Sequence, residues 1–306
     1  MNLTEAGYQP FVSIITLNYN QAAVTAEFLE SSKKLLYPFF EILICDMGSS
    51  EDPRYIFKDA DYPNTRLLLS TKNLGFAGGN NWGVRQARGE FIFIVNNDTD
   101  LTPDIIQRLI QPFFQNPSIG IVCPKIKYFD DPRIIQYAGF RPMNPFTGRT
   151  SSIGDHETDN GQYNVSGVTN GAHGCAMMVK KEVIEKTGLF PENFFLYYEE
   201  WDWSARVQKA GYLIWYQSEA TILHKESMTV GKENPMKTYY LTRNRILYMR
   251  RNSTAFNLLI FGLFFILFTI PKTIIVCLIS GDFTKLKWFL KGITYNLTHS
   301  SNTRTT

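Results

Sequence analysis

The stretch FIFIVNNDTD, residues 91–100, carries more information about the fold than any other part of the chain. Its five apolar residues predict a buried strand, and five polar residues follow at once. Asp and Asn are poor strand formers, so this polar end must form a turn or a site. A strand that ends in carboxylates brings them to the carboxyl edge of a sheet, where open α/β folds bind ligands. Taken alone, the cluster is explained about equally well as the cap of the next helix.

Strands and helices alternate on both sides of this stretch. Strands are predicted over residues 11–18, 41–46, 66–70 and 90–95, and helices over 21–36 and 79–88, with another helix beginning at Pro103. After residue 172 we expect a short strand, a helix closed by Gly188, a helix over 199–210 and a strand over 213–224. This order predicts an α/β domain with a mostly parallel sheet and helices on both faces.

Residues 130–172 interrupt the alternation. Gly, Pro, Asn and Asp are frequent there and no periodicity is visible, which predicts a long irregular insert. Long loops in compact domains are usually functional or disordered, and we interpret this one as a loop that covers the substrate. The predicted organisation is an α/β domain over residues 1–250, containing this insert, and a separate region over residues 251–306.

Composition indicates an ordered protein with an uneven distribution of charge. Of the 306 residues, 44% are hydrophobic and 19% are charged, which excludes a disordered chain. Residues 1–224 contain 19 Lys and Arg against 25 Asp and Glu, whereas residues 225–306 contain 12 against 3. Since this basic end is also the most apolar part, it favours an anionic membrane surface over nucleic acid as a partner.

The apolar part of the C-terminal region consists of residues 255–270 and, after Pro271 and Lys272, residues 273–279. About 20 apolar residues are needed to cross a bilayer, so the first run alone is too short. Residues 283–293 resemble an interfacial helix with one apolar arc. We expect membrane association rather than a buried core hairpin. The sequence leaves open whether residues 255–279 span, re-enter or lie on the membrane.

The cysteines and the N-terminus bear on the cellular compartment. The four cysteines lie far apart without a CxxC spacing, at positions Cys45, Cys123, Cys175 and Cys277. We expect buried, reduced thiols rather than disulfides or a zinc site. The first residues contain no secretory signal, so the α/β domain is expected to stay in the cytoplasm.

Polar side chains gather at three predicted element ends. Asp46 ends the second strand, Asp98 lies with Asn96 and Asp100 after the fourth, and Glu199, Glu200 and Asp202 open a helix after the aromatic residues 194–198. His224 ends a later strand. Carboxylates and an imidazole without thiolates suit a hard divalent ion such as Mg²⁺ or Mn²⁺.

Structural roles are available for several of these residues. Asp46 by itself caps a turn as readily as it binds a ligand. Asp100 is expected to be the N-terminal cap of the helix near Pro103. Asp202 can be an acid of a first helical turn, stabilised by the helix dipole. A single histidine such as His224 is usually structural.

Five segments of the chain resemble the family 2 inverting glycosyltransferases, in particular their rhamnosyltransferase-like branch. The segments are VSIITLNYN (12–20), ILICDMGSSED (42–52), NLGFAGGNNWGVRQARGEFIFIVNNDTDLTPD (73–104), GLFPENFFLYYEEWDWSARVQKAGY (188–212) and HKESMTVGK (224–232). Together they cover roughly residues 11–250 in the order and spacing of the family. The resemblance implies a Rossmann-like domain of the GT-A type, which agrees with the alternation of strands and helices.

The resemblance also implies roles for individual residues on the donor side. Asp46 matches the aspartate that holds the base or ribose of the nucleotide. The residues that match the donor-contacting stretch are Asn73, Gly75, Gly78 and Asn80. Asn96-Asn97-Asp98 stands where the family has its DxD motif, so Asn96 is implied in donor binding and Asp98 in metal binding, with Asp100 a weaker second candidate. His224 matches a histidine that ligates the metal in some members.

On the acceptor side, the usual Glu-Asp pair of the family corresponds to Glu199-Glu200. This implies that Glu200 is the general base and that Asp202 supports it. The implied reaction is transfer of a sugar, with rhamnose the first guess, from a nucleotide-diphosphate donor to a hydroxyl of a lipid-linked or oligosaccharide acceptor. It uses Mn²⁺ or Mg²⁺ and takes place at the cytoplasmic face of the membrane, in envelope polysaccharide assembly such as that of O-antigen.

Two other classes of function stay open at this stage. A sugar-nucleotide nucleotidyltransferase also combines a Rossmann-like sheet with a carboxylate-bound metal. It is expected to have a Gly-rich, basic loop after the first strand, where this chain has NYNQAA. A non-catalytic sugar-binding protein on the same fold predicts that Glu200→Gln leaves activity unchanged.

Overall fold

The structure, a computed structural model, describes residues 8–55, 62–225 and 235–301. Its strands are β1 (Val12–Asn18), β2 (Phe40–Asp46), β3 (Thr65–Leu69), β4 (Phe91–Val95), β5 (Thr99–Leu101), β6 (Ile119–Tyr128), β7 (Ile134–Tyr137), β8 (Glu157–Thr158), β9 (Gly167–Val168), β10 (Ala176–Lys180) and β11 (Leu213–His224). Its helices are α1 (Ala22–Ser32), α2 (Gly75–Gln86), α3 (Ile105–Gln115), α4 (Lys181–Thr187), α5 (Glu199–Lys209), α6 (Pro235–Asn252), α7 (Ala255–Phe264), α8 (Ile270–Ser280) and α9 (Phe283–Thr298). Short 3₁₀ turns occupy Pro53–Tyr55 and Glu192–Phe194, and a π-helical turn, Phe265–Thr269, joins α7 to α8.

The strands form one mixed sheet with the order β3-β2-β1-β4-β10-β6-β11-β5. The first four strands are parallel, as the alternation of strands and helices predicts. Beyond β4 the directions are mixed, because β10 runs antiparallel to both neighbours and β5 antiparallel to β11, while β6 and β11 are parallel. The α/β class is confirmed.

The chain reverses its direction of growth across the sheet at β1. This strand pairs with β2 on one side and with β4 on the other, so all three end at the same edge. Asn18 and Asp46 are register partners there, and Asn96 follows the end of β4. Open α/β sheets bind ligands outside such a switch point.

The insert over residues 130–172 is more regular than the sequence indicates. Strand β7 pairs with β6 and β8, and β9 pairs with β11, so the insert extends the sheet. Two of these strands have only two residues, too few for a period to appear in the sequence. The rest of the insert lies in turns and irregular backbone.

Two predictions about local structure are wrong. Asp100 does not cap a helix: it lies within β5 and pairs with Leu223 of β11. Helix α3 begins at Ile105, and Asp104 occupies its N-cap position. Helix α2 begins at Gly75, earlier than predicted, although its first turns are rich in glycine. All four cysteines are buried and unpaired, as predicted.

The C-terminal helices lie side by side. Trp288 of α9 contacts Tyr239 near the start of α6, with ring centroids 5.8 Å apart. Towards the other end, Arg250 Nη1 donates to the carbonyl of His299 at 3.1 Å, so α9 runs parallel to α6. The segment from α7 to α8 runs back between these two ends, and Phe265 stacks on Phe289 of α9 at 6.3 Å. The predicted division at residue 250 falls inside α6.

Residues 255–280 form one continuous helical stretch of 26 residues that is long and apolar enough to cross a membrane. Only 11% of its most apolar window is buried. Large apolar side chains are exposed along it, including Leu259, Leu267, Phe268 and Ile279. The alternative of a buried core hairpin is therefore wrong. Because α9 starts beside the start of α6, the stretch that joins the end of α6 to the start of α9 has both of its ends beside α6.

Candidate active site

A chain of hydrogen bonds between buried side chains crosses the switch point of the sheet. Asn97 Nδ2 donates to Thr25 Oγ1 at 2.9 Å, and Thr25 Oγ1 donates to Asn18 Oδ1 at 2.8 Å. Asn18 Nδ2 then donates to Asp46 Oδ1 at 2.7 Å. The ends of β1, β2 and β4 are thus held together by polar contacts, which fixes the position of Asp46 relative to the turn that carries Asp98.

Asp46 also organises the turn after β2. Its Oδ2 accepts a hydrogen bond from the backbone N–H of Ser49 at 3.0 Å, and its side chain is almost completely buried. The turn-capping interpretation therefore describes what Asp46 does within the protein. Each carboxylate oxygen can accept further bonds. Contact of Asp46 with the base or ribose of a nucleotide stays a prediction.

Asp98 and His224 meet because β5 pairs with the end of β11. Thr99 and His224 are register partners in this antiparallel pair, so the residue before Thr99 faces the end of β11. His224 Nε2 lies 3.2 Å from Asp98 Oδ1. This oxygen is buried and has no hydrogen bond of acceptable angle. The backbone N–H of Lys225 donates to the carbonyl of Asp98 at 2.9 Å and closes the turn.

The other ring nitrogen of His224 is held by the insert. Nδ1 lies 2.8 Å from Oε1 of Gln136 on β7, and it donates this hydrogen bond because Oε1 only accepts. With Nδ1 held in this way, Nε2 is the nitrogen that faces Asp98, as in histidines whose second nitrogen is fixed for metal binding. Burial lowers the pKa of His224, but Cys175 and Asp98 outweigh burial and raise it to about 11. A cation between Asp98 and His224 would replace the imidazole proton.

These two residues fit a divalent cation with few protein ligands. Among the residues that the structure describes, no third His, Cys, Asp or Glu completes a metal-binding group around them. Mg²⁺ and similar ions are often held by one or two carboxylates, with the remaining ligands supplied by phosphates and water. The buried, unbonded Oδ1 of Asp98 is the oxygen that such an ion would satisfy.

A second imidazole, His173, lies close to this pair and was missed in the sequence. Burial and the charge of His224 lower the pKa of His173 to about 3, so it is neutral. Its ring stacks on Phe140 with centroids 5.4 Å apart, and its Nδ1 accepts from the N–H of Cys175 at 3.1 Å. His173 is therefore held between the ring of Phe140 and the backbone of Cys175.

Glu199 and Glu200 occupy the first turn of α5 with different exposure. Glu199 is buried, whereas Glu200 is partly exposed. Each has an Oε2 that is buried without a hydrogen-bond partner. Burial raises the pKa of Glu199 well above its usual value, and the charge of Glu200 adds to this. Burial likewise raises the pKa of Glu200 to about 7. Of the two residues Glu200 is the more exposed, and its pKa is suited to proton transfer near neutral pH.

The backbone just before these carboxylates is strained. Phe195, Tyr197 and Tyr198 have φ values of 66°, 68° and 70°, in the left-handed region that bulky residues rarely occupy. The side chain of Asn244 on α6 holds this loop. Its Nδ2 donates to the carbonyls of Phe194, Leu196 and Tyr197 at 2.9, 2.7 and 2.8 Å.

Arg243, next to Asn244, binds the same loop from α6. Its Nη2 donates to the carbonyls of Asn193 and Phe194, each at 2.6 Å. Both α6 side chains are buried, with Asn244 0% exposed. The C-terminal helices therefore fix the loop that carries Glu200. These residues were missed because nothing in the polar run of residues 242–245 indicates which distant loop it binds.

The strained loop also caps the predicted donor-contacting stretch. The carbonyl of Phe195 accepts from the N–H groups of Phe76, at 2.7 Å, and Ala77, at 3.3 Å, in the first turn of α2. Gly75 has φ +69°, and a Cβ there would lie 2.5 Å from Phe195, so only glycine fits. Asn73 Oδ1 accepts from the N–H of Gly75 at 2.8 Å and starts the helix. The acceptor-side loop and the donor-side helix are thus in direct contact.

The remaining predicted donor residues make contacts within the protein. Asn80 is buried, and its Nδ2 donates to the carbonyl of Phe76 in its own helix at 2.9 Å. Gly78 lies on the same helix, beside Leu74. The N–H of Asn96 donates to the carbonyl of Cys175 at 2.9 Å. Their contact with a donor stays a prediction, as does any role of residues 226–232, which lie outside the described residues.

Asp202 is directed towards the C-terminal helices. It is 1% exposed, and its Oδ1 accepts from Arg251 Nε at 2.7 Å and from Asn252 Nδ2 at 2.9 Å. Arg206 Nε lies 3.5 Å from its other oxygen. These contacts tie α5 to the end of α6. Asp202 therefore has a structural role. Its predicted support of the general base would be indirect, because Asp202 anchors the helix that carries Glu200.

Comparison with known proteins agrees with this geometry. Residues 13–188 match the sequence profile described as glycosyl transferase family 2. The chain belongs to glycosyl transferase family 2. This glycosyltransferase is 26% identical over 246 residues to the low-salt glycan biosynthesis hexosyltransferase Agl10 of Haloferax volcanii, with 77% of this chain and 74% of the relative covered.

Two further matches support the family and the fold. Over 243 residues the glycosyltransferase is 24% identical to the N-acetylglucosaminyl-diphospho-decaprenol L-rhamnosyltransferase of Mycobacterium tuberculosis, covering 72% of this chain and 78% of the relative. Its structure is similar to that of the mannosyltransferase PcManGT from Pyrobaculum calidifontis in complex with GDP-Man and Mn²⁺. The TM-score is 0.59 at 15% sequence identity, over 95% of this chain and 88% of the other. The GT-A fold expected from the sequence is confirmed.

Proposed function

We propose that this glycosyltransferase transfers a sugar, with inversion, from a nucleotide-diphosphate donor to a hydroxyl of a lipid-linked glycan. The observation that carries the proposal is the contact between Asp98 and His224 at the carboxyl edge of the sheet, with the loop before Glu200 packed on the adjoining helix α2. The proposed donor side, at Asp98 and His224, and the proposed acceptor side, at Glu200, would thus belong to one site.

On the donor side, Asp98 and His224 would hold a Mn²⁺ or Mg²⁺ ion. When bound, such an ion stabilises the negative charge that develops on the leaving diphosphate. Gln136 keeps His224 in the required orientation. Asp46 and the start of α2 would bind the nucleotide at the switch point, where this fold class places its ligands.

On the acceptor side, Glu200 would accept the proton of the attacking hydroxyl. Its raised pKa makes it a stronger base than an ordinary carboxylate. The hydroxyl attacks the anomeric carbon from the face opposite the diphosphate. A single displacement inverts that carbon and needs no nucleophile from the protein.

The names of the relatives favour particular substrates. The relative from M. tuberculosis is a rhamnosyltransferase that acts on a decaprenol-diphosphate-linked sugar, and the relative from H. volcanii is a hexosyltransferase of glycan biosynthesis. The similar mannosyltransferase was solved with GDP-Man and Mn²⁺. We therefore take dTDP-rhamnose as the first donor to test and a polyprenyl-diphosphate-linked glycan as the acceptor.

The C-terminal helices would place the enzyme on the cytoplasmic surface of the membrane. The exposed apolar side chains of residues 255–280 need a nonpolar partner, and Lys285, Lys287 and Lys291 on α9 suit anionic headgroups. Because α9 runs back along α6, the apolar stretch would lie in the plane of the interface rather than cross the bilayer.

A donor screen tests the function. Purified protein is incubated with dTDP-rhamnose, UDP-sugars and GDP-sugars, with Mn²⁺, Mg²⁺ or a chelator, and the released nucleotide is identified. Release of a nucleoside diphosphate that depends on the cation and is lost in Glu200→Gln is expected. Release of inorganic pyrophosphate from a nucleoside triphosphate and a sugar phosphate would instead identify a nucleotidyltransferase. Tight donor binding without turnover in any combination would indicate a sugar-binding protein.

A further inference from the structure

The side chain of Arg245 on α6 is a buried cation without an anionic partner. It is 5% exposed, and its Nε donates to the carbonyl of Thr147 at 2.6 Å. Its Nη2 is buried and has no hydrogen bond. Within the described part of the chain, no carboxylate forms an ion pair with it. A buried guanidinium with an unused donor is costly unless an anion satisfies it.

A second guanidinium, that of Arg149, belongs to the turn to which Arg245 is hydrogen-bonded. Arg149 is exposed and belongs to the tight turn of residues 144–149, whose Thr147 carbonyl binds Arg245. Burial lowers the pKa of Arg245 to about 10, and the positive charge of Arg149 contributes to this. One buried and one exposed guanidinium are thus brought to the same turn, and two such groups suit an anionic ligand.

This pair of arginines borders the acceptor side of the candidate active site. The hydroxyl of Tyr198 donates to the carbonyl of Gly148 at 2.9 Å, so the loop that carries Glu200 packs on the same turn as Arg149. Burial raises the pKa of Tyr198 to about 12, and the charges of Arg245, Glu200 and Arg149 all act on it. The three charged groups therefore all act on one tyrosine hydroxyl.

On its other side, Arg245 contacts the apolar stretch of the C-terminal region, residues 255–280. The guanidinium of Arg245 lies over the rings of Phe261, at 5.6 Å, and Phe265, at 5.4 Å. These two rings are buried, and other residues of the same helices carry exposed apolar side chains. A ligand bound at the arginines would thus lie between the loop before Glu200 and the helices that carry this apolar surface.

We propose that Arg149 and Arg245 bind the phosphate groups of an amphiphilic acceptor whose hydrocarbon chain lies along α7 and α8. The inference rests on the proposed function, because it locates the diphosphate of a lipid-linked glycan at the acceptor side of the same site. Arginine is suited to this role, since its planar fork makes two parallel hydrogen bonds to phosphate. The sugar attached to that phosphate would project towards Glu200.

Binding of farnesyl diphosphate to the full-length protein in a neutral detergent, with EDTA present, tests the site directly. The chelator prevents binding through a cation at Asp98 and His224, and no sugar donor is needed. Arg149→Gln is the main variant, because an exposed side chain can be changed without disturbing the core. Arg133→Gln is the matched control: it removes an exposed guanidinium from the same insert, one that pairs with Asp131 at 2.8 Å. Arg245→Lys keeps the buried positive charge but removes the guanidinium group, which can make two parallel hydrogen bonds to phosphate.

We expect Arg149→Gln to weaken farnesyl diphosphate binding about 10- to 100-fold, the range of a lost charge-assisted hydrogen bond, and Arg133→Gln to leave it unchanged. Equal affinity of wild type and Arg149→Gln would overturn the proposal. Inorganic pyrophosphate that binds as tightly as farnesyl diphosphate would overturn the role of the hydrocarbon chain. If Arg149→Gln weakens binding to phosphatidylglycerol vesicles but not to farnesyl diphosphate, the ligand is a membrane headgroup, and assignment to the acceptor is overturned.

A second measurement separates this proposal from the proposed function. With a lipid-linked acceptor, Arg149→Gln is expected to raise the acceptor KM about tenfold while the donor KM stays unchanged. If no donor supports transfer but Arg149→Gln still loses farnesyl diphosphate binding, the phosphate site stands and the proposed reaction fails. If transfer occurs and binding is insensitive to both arginine variants, the reaction stands and this site fails.

Discussion

Replacing Asn244 by alanine tests whether the C-terminal helices hold the catalytic loop in its working shape. Asn244 Nδ2 supplies both of its hydrogens to three carbonyls of residues 194–197, all within 2.9 Å. Three residues in this loop have positive φ, and each such residue costs roughly 1–3 kcal/mol that the surrounding contacts must offset. Without the amide, buried carbonyls lose their donors and the loop loses the contacts that oppose its strain.

The size of the effect follows from these contacts. Two lost hydrogen bonds, each leaving a buried acceptor, amount to about 3 kcal/mol of folding free energy. For a chain of this length that lowers the Tm by roughly 5 °C. Since the same loop positions Glu200 and caps α2 through Phe195, kcat should fall about 100-fold, as for a displaced catalytic group, and the donor KM should rise.

The assay is steady-state release of nucleotide, combined with thermal unfolding. Asn170→Ala is the matched control, because its side chain donates to a single carbonyl, that of Phe140, at 2.9 Å and does not touch the loop. It should lower the Tm slightly and leave kcat within about twofold of wild type. An Asn244→Ala enzyme that loses stability but keeps its kcat would refute the reasoning, because the loop would then hold its shape without α6.

Four further predictions follow from the site and the C-terminal helices. Since the pKa of Glu200 is raised to about 7 and a base must be unprotonated, kcat should rise with pH through about 7 and level off above it. The Glu200→Gln variant should lose about 100-fold or more of kcat and should also lose this pH dependence. If the variant keeps the pH profile, Glu200 is not the base. Gln136→Leu should weaken Mn²⁺ binding about 10- to 100-fold, with activity restored at high Mn²⁺, because only the orientation of His224 is lost; absence of rescue would contradict this. Asp202→Asn should lower the free energy of unfolding by about 3–5 kcal/mol, since it leaves Arg251 and Arg206 without their carboxylate; an unchanged unfolding midpoint would show that these pairs contribute little. Leu267→Asp with Phe268→Asp should reduce cosedimentation with anionic vesicles while soluble-donor hydrolysis is kept, and undiminished cosedimentation would place the membrane contact elsewhere.

The part of the fold that could be predicted from the sequence is the part built from neighbouring segments. Strands β1, β2 and β4 are mostly apolar runs bounded by turns, and parallel strands joined by helices place their ends at one edge. Asp46 and Asp98 could therefore be assigned to that edge from local patterns alone. The family motifs added expected roles to these positions.

Contacts between distant segments were decided only by the tertiary structure. The antiparallel pairing of β5 with β11 brings His224 to Asp98 and moves Asp100 from an expected helix cap into a strand. A three-residue strand carries no period that could announce this pairing. Asn244 and Arg245 reach the catalytic loop and the insert from a helix whose sequence shows only short polar and apolar runs. Local patterns record which residues are buried, whereas the partner that satisfies a buried polar group depends on how the whole chain packs.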